Sequence, residues 1–395
     1  MTPSRVLVVG ASAAGLTTAE ALRRKGYQGE LTLLGAERHP PYDRPPLSKH
    51  VLSGSRTPDT AHLRTPGTLA ALDAAFLLGD PAAGLDPGSR TVRTESGREL
   101  SADAVVVATG LRPRTLPGQP DAEGVHVLRT LDDALALREG LLTARRLVVV
   151  GEGVLGSEIA ATARSMGLDV NLAGPRPAPM LDQFGPVVSD LLAALHTGHG
   201  VTLRLGHAVT GLTAARGRVT GVRLDTEEVL PADVVVVAIG GEPATGWLTG
   251  SGLRIDNGLV CDSRCRAAEG IYAVGDVAAW HHELFDVPMR LENRTNATEQ
   301  ALAVADNILG ADRPYTPVPY FWTDQFDARI QAHGRLGPDA GVTVVDGHPT
   351  SGRFVVRYER DGMVTGVLGW NMPKQARLRR QEIGGPVPPL EPSAP

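Results

Sequence analysis

Lysine is almost missing from this chain of 395 residues: Lys25, Lys49 and Lys374 are the only three, and arginine carries nearly all of the positive charge. A lysine inside a chemical motif therefore stands out. Cysteine is scarcer still. Cys261 and Cys265 lie four positions apart, and in an extended segment their Cα atoms would be about 13 Å apart, too far for a disulfide. They read as two inert thiols of a reduced cytosolic protein. No apolar stretch approaches the ~20 residues needed to span a bilayer. The run Val6 to Val9 ends in a glycine turn and reads as a strand, not as a signal peptide. A net charge of −5 gives no general affinity for nucleic acid. The pair His281-His282 has no nearby thiols or paired carboxylates, so no metal site is expected.

What is present is ordinary for a globular protein, with 42% hydrophobic and 21% charged residues. The length exceeds one ordinary core and implies two or three domains. An internal repeat organises them. Val6 to Val9 leads into Gly10-Ala11-Ser12-Ala13-Ala14-Gly15 and a helical pattern through about Lys25. Leu147 to Val150 leads into Gly151-Glu152-Gly153-Val154-Leu155-Gly156 and a helix through about Met166. Each is a short buried strand, a glycine turn and a helix, the start of a βαβ unit. Second strands follow at Leu31 to Leu34 and Val170 to Ala173. Residues 75–100 and 201–230 then alternate apolar runs with turn signals and read as antiparallel meanders. Each copy returns to a buried parallel strand ending in glycine, at Asp103 to Gly110 and Asp233 to Gly240. From Pro314 the pattern changes: Val342 to Asp346, Arg353 to Tyr358 and Val364 to Trp370 read as an antiparallel sheet with helical ends. The last ten residues, mostly proline and small residues, are expected to be disordered.

A glycine turn before a helix lets backbone N–H groups approach a pyrophosphate, whose charge the helix N-terminus stabilises. The strand–turn–helix context and its duplication imply two nucleotide sites. Ser12 replaces the middle glycine of the first copy. Glu37, just past the second strand, is placed to accept hydrogen bonds from an adenosine ribose. The equivalent place in the second copy is Gly174, followed by Pro175 and Arg176. No acid is read there to hold a 2′-hydroxyl, and Arg176 can pair with a 2′-phosphate, so the choice between NADH and NADPH stays open.

From Pro41-Tyr42-Asp43-Arg44-Pro45-Pro46-Leu47-Ser48-Lys49 the sequence resembles the FAD-dependent ferredoxin reductases of bacterial oxygenase and haem-monooxygenase systems, the putidaredoxin reductase type. The resemblance covers nearly the whole chain. It includes Ala108-Thr109-Gly110, Leu128-Arg129-Thr130-Leu131-Asp132-Asp133-Ala134, Gly151 to Glu158, Tyr272-Ala273-Val274-Gly275-Asp276-Val277, Arg290-Leu291-Glu292 with Asn296-Ala297, and Pro319 to Gln325.

The resemblance implies an α/β fold with two Rossmann-like FAD/NAD-binding modules of the glutathione-reductase type and a small α+β C-terminal domain. It sets residues 1–113 and 239–313 as the two parts of an FAD-binding domain, 114–238 as the NAD(P)-binding domain, and 314–395 as the C-terminal domain with its tail. It implies hydride transfer from NADH or NADPH to FAD and single-electron delivery to a ferredoxin. Lys49 matches a lysine beside the flavin, and Glu158 a carboxylate that pairs with it across the two modules. The cation offsets negative charge on the reduced ring. Asp276 matches a carboxylate on a ribityl hydroxyl, and Arg44, Arg129 and Trp322 match positions contacting the flavin. Gly10, Ser12, Ala14, Gly15, Glu37, Ala108, Thr109, Gly110 and Gly275 complete the expected FAD site; Gly151, Gly153, Gly156, Arg176 and Gly240 join Glu158 in the expected nicotinamide-nucleotide site. The chain departs from the pattern at Gly174 with Arg176, and at Arg294, where an apolar or aromatic residue is usual.

Such ferredoxins are small and acidic. Lys374, Arg377, Arg379 and Arg380, with Arg353, Arg357 and Arg360 nearby, form an expected docking patch that would steer an acidic iron–sulfur partner. Peroxide, disulfide or thiol reductases on the same scaffold need a redox cysteine near the flavin, and none precedes Cys261. A flavoprotein of the apoptosis-inducing-factor type, acting by redox-dependent binding, and a rubredoxin reductase share much of the pattern. A cytoplasmic enzyme with no nucleic-acid or membrane partner is expected.

Overall fold

Four apolar residues, Val6 to Val9, are buried on both faces and form β1 (Arg5–Val9), the middle of a sheet. The chain then turns at Gly10 (φ +118), where a Cβ would lie 2.2 Å from the Ala108 carbonyl oxygen. Only glycine lets the turn run this close to the neighbouring strand. The computed structural model describes residues 2–388. α1 (Ala13–Arg24) follows, burying Leu16, Ala19 and Leu22, and leads to β2 (Glu30–Gly35), β3 (Ala75–Leu78) and β4 (Ala104–Val107). With strands Arg266–Ala268 and Ile271–Ala273 they make a six-stranded sheet in the order Arg266–Ala268, Ile271–Ala273, β4, β1, β2, β3. All its pairings are parallel except that of Arg266–Ala268 with Ile271–Ala273. Helix Arg294–Ile308 packs against α1.

The second copy repeats the plan. α2 (Leu131–Thr143) is started by a capping box between Thr130 and Asp133. β5 (Arg146–Val150), α3 (Val154–Ser165), β6 (Asp169–Gly174), α4 (Leu181–Gly198), β7 (Thr202–Leu205) and β8 (Val234–Val237) follow. Here the sheet order is β7, β6, β5, β8 and Val125–His126, all parallel. α4 is kinked at Gly185 (φ 72), just before Pro186.

β9 (Tyr320–Gln325), β10 (Ala328–Gly334), β11 (Gly341–His348), β12 (Arg353–Arg360) and β13 (Met363–Trp370) form an antiparallel sheet ordered β9, β10, β13, β12, β11, followed by α5 (Pro373–Arg379). Phe354, Tyr358 and Trp370 of this sheet share a core with Phe184, Val188 and Leu192 of α4. The buried Tyr358 hydroxyl donates to the Phe184 carbonyl at 2.7 Å, so the ring is packed without leaving its polar end unpaired.

Two compact units result. The first comprises the chain through Asp43, Pro58–Arg112 and Gly241–Pro317; the second comprises Arg44–Thr57, Pro113–Gly240 and the chain from Val318 onward. The expected division used three domains and did not separate residues 44–57. That segment, a turn at Pro45–Ser48 and a short helix His50–Ser53, packs against α2 and α3.

Three local expectations need correction. Residues 75–78 and 202–205 are not meander strands but parallel extensions of the two main sheets, pairing with β2 and β6. The antiparallel meanders are Ala82–Asp86, Thr91–Thr94 and Glu99–Ser101, and Val209–Ala215, Arg218–Leu224 and Val229–Pro231. A four-residue apolar run reads alike in either setting; what decides is the buried edge available to it. The C-terminal sheet begins on a strand and not on a helix, Tyr320 to Gln325 entering with Thr323 and Gln325 turned inward, and α5 follows its last strand. Of the last ten residues, 386–388 are ordered against β13 and β12: Val387 N–H donates to the Gly362 carbonyl at 3.0 Å, and Arg357 donates to that of Pro388 at 3.2 Å. The rest of that expectation lies outside the described residues. Among the described residues no helix is long and apolar enough to cross a membrane.

Candidate functional site

In the first unit Gly15 sits so close to the turn that a Cβ would lie 1.8 Å from the Gly10 carbonyl oxygen. Ser12 is the N-cap of α1 yet makes no side-chain cap; its hydroxyl donates to the Tyr42 carbonyl at 3.3 Å. The first-turn N–H groups, which lack intrahelical partners, are therefore available to an anion. Gly275 (φ +75) backs onto the same helix start, its Cβ position 3.2 Å from that of Ala14, and its N–H donates to Gln300 at 2.8 Å. This brings Gly275 and Asp276 beside the glycine turn. Arg290 donates to the Asp276 carbonyl at 3.1 Å. Half-buried Glu37 accepts the Tyr42 hydroxyl. Thr109 donates to the Ala244 carbonyl at 2.9 Å, and Gly110 (φ +70) turns the chain beyond β4. The cradle of backbone donors with a carboxylate past β2 fits the pyrophosphate and ribose of a dinucleotide.

The second unit holds a buried ion pair. Lys49 Nζ lies 2.6 Å from Glu158 Oε2, with side chains 13% and 6% exposed. Ser48 donates to the same oxygen at 2.6 Å, and Thr323 donates to Oε1 at 2.8 Å. Three segments far apart in sequence thus converge on one carboxylate: the turn after Arg44, the start of α3 and β9. Lys49 also donates to the Pro45 carbonyl at 3.2 Å. Behind Thr323 the amide of Gln325 donates to the Thr323 hydroxyl at 3.1 Å, and its carbonyl lies 2.8 Å from the ring of His196. Burial holds that imidazole below its ordinary range.

The second glycine turn matches the first. A Cβ at Gly151 (φ +114) would meet the Ala238 carbonyl oxygen at 2.3 Å, and one at Gly156 the Gly151 carbonyl oxygen at 1.8 Å. Gly153 and Gly240 face open space. The acid expected to be missing at the end of the second strand is present after all. Glu152 lays its carboxylate over Gly174, 1.6 Å from where a Cβ would stand, and accepts the Arg176 N–H at 3.1 Å. Desolvation raises its pKa. The Arg176 guanidinium pairs with Asp182 at 2.9 Å.

Residues 4–301 match the pyridine nucleotide-disulphide oxidoreductase family, and residues 320–391 the reductase C-terminal family. The chain belongs to the pyridine nucleotide-disulphide oxidoreductase family. It is 35% identical over 392 residues to the ferredoxin–NAD(+) reductase component of an anthranilate 1,2-dioxygenase system from Burkholderia cepacia, covering 98% of this chain and 96% of the relative. Among solved structures, the ferredoxin reductase for the CYP199A2 system from Rhodopseudomonas palustris superposes with a TM-score of 0.93 at 31% identity, covering 97% of this chain and 96% of the other. The reductase in the covalent putidaredoxin reductase–putidaredoxin complex does so with a TM-score of 0.91 at 34% identity, covering 96% and 92%.

In this oxidoreductase Lys49 and Glu158 meet, but not across two units as expected: both belong to the second, because residues 44–57 pack there. Arg44 donates to the Arg129 carbonyl at 2.5 Å, and Arg129 N–H to Asp133 at 3.0 Å, which ties those two expected flavin neighbours together. Trp322 is half-buried on β9, stacked on Tyr320 with ring centroids 6.1 Å apart. The unusual Arg294 is the first residue of its helix, and its charge is met by Asp43 at 2.5 Å, a partner inside the resemblance motif itself. Cys261 and Cys265 are both buried and free, joined not by an extended segment but by a turn in which Cys265 N–H donates to the Asp262 carbonyl at 3.0 Å. Burial pushes the Cys261 thiol up, and that of Cys265 to about 12. Neither supplies a thiolate.

The docking patch needs correction. Arg357 is 2% exposed and locked to Glu359 at 2.7 Å and Glu382 at 3.5 Å. Arg379 pairs with Asp346 at 2.5 Å and Glu382 at 2.8 Å, and Arg360 with Asp339 at 3.3 Å. Lys374, Arg377, Arg380, Arg353 and, beside its surface ion pair, Arg360 are exposed. Sequence reasoning also assigned no role to Ser48, Thr323 and Glu152. All three lie within quoted motifs, and Glu152 is a charged residue inside a glycine turn.

Proposed function

We propose that this oxidoreductase takes electrons from reduced nicotinamide nucleotide through FAD and passes them to an iron–sulfur ferredoxin that serves a haem monooxygenase or a dioxygenase. The observation that carries the reading is the buried Lys49–Glu158 pair, fixed by Ser48 and Thr323 in the unit that holds the second glycine turn. When bound, FAD accepts a two-electron hydride and releases electrons one at a time. The protein supplies binding, orientation and charge.

Gly10, Ser12, Ala14, Gly15, Glu37, Ala108, Thr109, Gly110, Gly275 and Asp276, all in the first unit, would hold the FAD. Gly151, Gly153, Gly156 and Gly240 hold the nicotinamide nucleotide. Lys49 is the preorganised cation that offsets negative charge arriving with the hydride. Glu158 orients it, and the two hydroxyl donors keep the carboxylate from rotating away. Because lysine and carboxylate are both nearly dry, their fields are weakly screened. A thiol relay is unsupported, since both thiols are buried and protonated. Lys374, Arg377, Arg380 and Arg353 offer an acidic ferredoxin its cations. A cytoplasmic location suits the free thiols and the donor.

Anaerobic mixing of the FAD-loaded protein with NADH or NADPH, then with a panel of ferredoxins, tests this. Bleaching of the flavin absorbance followed by ferredoxin reduction is expected. A flavin that neither nucleotide bleaches refutes the reading.

A further inference from the structure

The two copies of the repeat can be aligned residue by residue through their strand registers. Val9 pairs with Leu34 in the first and Val150 with Ala173 in the second, so Gly35 corresponds to Gly174, Glu37 to Arg176 and Ala11 to Glu152. In the first copy the side chain at the turn is a methyl group: Ala11 Cβ stands 3.0 Å from the Cβ position of Gly35, and the acid follows the strand at Glu37. In the second copy the acid has moved into the turn, and a cation follows the strand.

Gly174 shows that the move is built in. Its φ is not in the left-handed region, so the backbone does not demand glycine. What demands it is space: a Cβ would stand 1.6 Å from Glu152 Oε2 and 2.5 Å from its carboxyl carbon. Residue 174 has given up its side chain to admit the carboxylate of residue 152. Glu152 is 8% exposed and takes the Arg176 N–H on Oε1, which fixes its rotamer. A carboxylate has about four lone-pair sites, so capacity remains for a ribose hydroxyl. The Arg176 guanidinium is engaged by Asp182, another negative charge at the same strand end.

We propose that Glu152 reads the adenosine ribose of the nicotinamide nucleotide, accepting its 2′-hydroxyl and repelling a 2′-phosphate, so that NADH is the donor this chain prefers. The assignment rests on the hydride-donor reading above and names its specificity-determining residue.

Calorimetric titration of the oxidised, FAD-loaded protein with NAD+ and with NADP+ tests it without turnover. The wild type is expected to bind NAD+ at least about tenfold more tightly, and Glu152→Gln to lose about tenfold of that discrimination with flavin content unchanged. Gly174→Glu alone should bind both nucleotides poorly, since two side chains claim one space. Glu152→Ala combined with Gly174→Glu should regain the preference, because the acid returns from a different backbone position. Arg176→Ala should leave the ratio unchanged. An unaltered ratio in Glu152→Gln, or a wild type that prefers NADP+, overturns the assignment alone. If neither nucleotide binds the wild type, the hydride-donor reading falls and takes this assignment with it.

Discussion

Replacing Lys49 by methionine strips the partner from a carboxylate that is 6% exposed and leaves it two hydroxyl donors, Ser48 and Thr323. At 2.6 Å and an effective dielectric of about 20, the pair's attraction is on the order of 6 kcal/mol. Desolvation of two ions, several kcal/mol each, offsets most of it. The net value of the intact pair is therefore small, while an orphaned charge carries its desolvation cost unrelieved. Lys49→Met and Glu158→Gln are each expected to destabilise the protein by about 3–5 kcal/mol, and the double variant by well under their sum. With a few degrees per kcal/mol, each single change should lower the melting temperature by on the order of 10 °C. Melting followed by circular dichroism and by release of flavin fluorescence reads this for all four proteins. Both probes are needed because a chain of two units need not melt in one step. Strict additivity of the two single shifts would refute the reasoning, since it would mean the charges do not feel each other. All three variants should also be reduced more slowly by NADH, the double variant included, because the rescue restores packing and not the cation.

Burial holds His333 at about 4 against an ordinary 6.5; its ring lies against Tyr320, and Arg380 lowers it further. The unfolded chain takes up that proton first, so stability present above pH 6.5 is lost as pH falls toward 4, about 3 kcal/mol in total. Denaturant midpoints across that window should show the slope, and His333→Phe should flatten it; an equal slope in both proteins would exclude this imidazole. Gly15→Ala should yield protein without flavin, and Gly156→Ala protein that holds flavin but binds no nicotinamide nucleotide, since each Cβ would stand 1.8 Å from a carbonyl oxygen. Flavin stoichiometry and nucleotide titration separate the two, and identical losses in both variants would contradict the division of sites. Reversing Lys374, Arg377 and Arg380 to glutamate should raise the KM for ferredoxin and weaken its salt dependence without changing flavin reduction by NADH. Arg357→Met should instead lower stability, because it leaves Glu359 and Glu382 without their shared cation.

Much of this was legible in the sequence because it follows from local rules. A buried strand, a glycine turn and a helix announce themselves within fifteen or so residues, and their recurrence shows that the chain uses one plan twice. Lys49 was conspicuous as one of three lysines, and the resemblance paired it with Glu158. What stayed hidden depends on side chains meeting through space. Glu152 and Gly174 look unrelated until the strands are in register, and an empty position reads as a missing acid. Arg357 looked like surface charge, yet it lies in a strand buried from Phe354 to Tyr358 and survives there through two glutamates. The hydroxyls of Ser48 and Thr323 carry no pattern of their own; only the carboxylate between them gives them a purpose.

The interleaving of the two units has a consequence for how the molecule can be made. On the ribosome Lys49 emerges long before Glu158, and Thr323 later still, so the full set of partners around the Glu158 carboxylate closes only when most of the polypeptide has been synthesised. No single cut frees either unit intact, because each draws on three separate stretches of chain. Truncation libraries and split-reporter fusions would therefore break both halves at once, whereas insertions at exposed loop tips would leave the weave undisturbed.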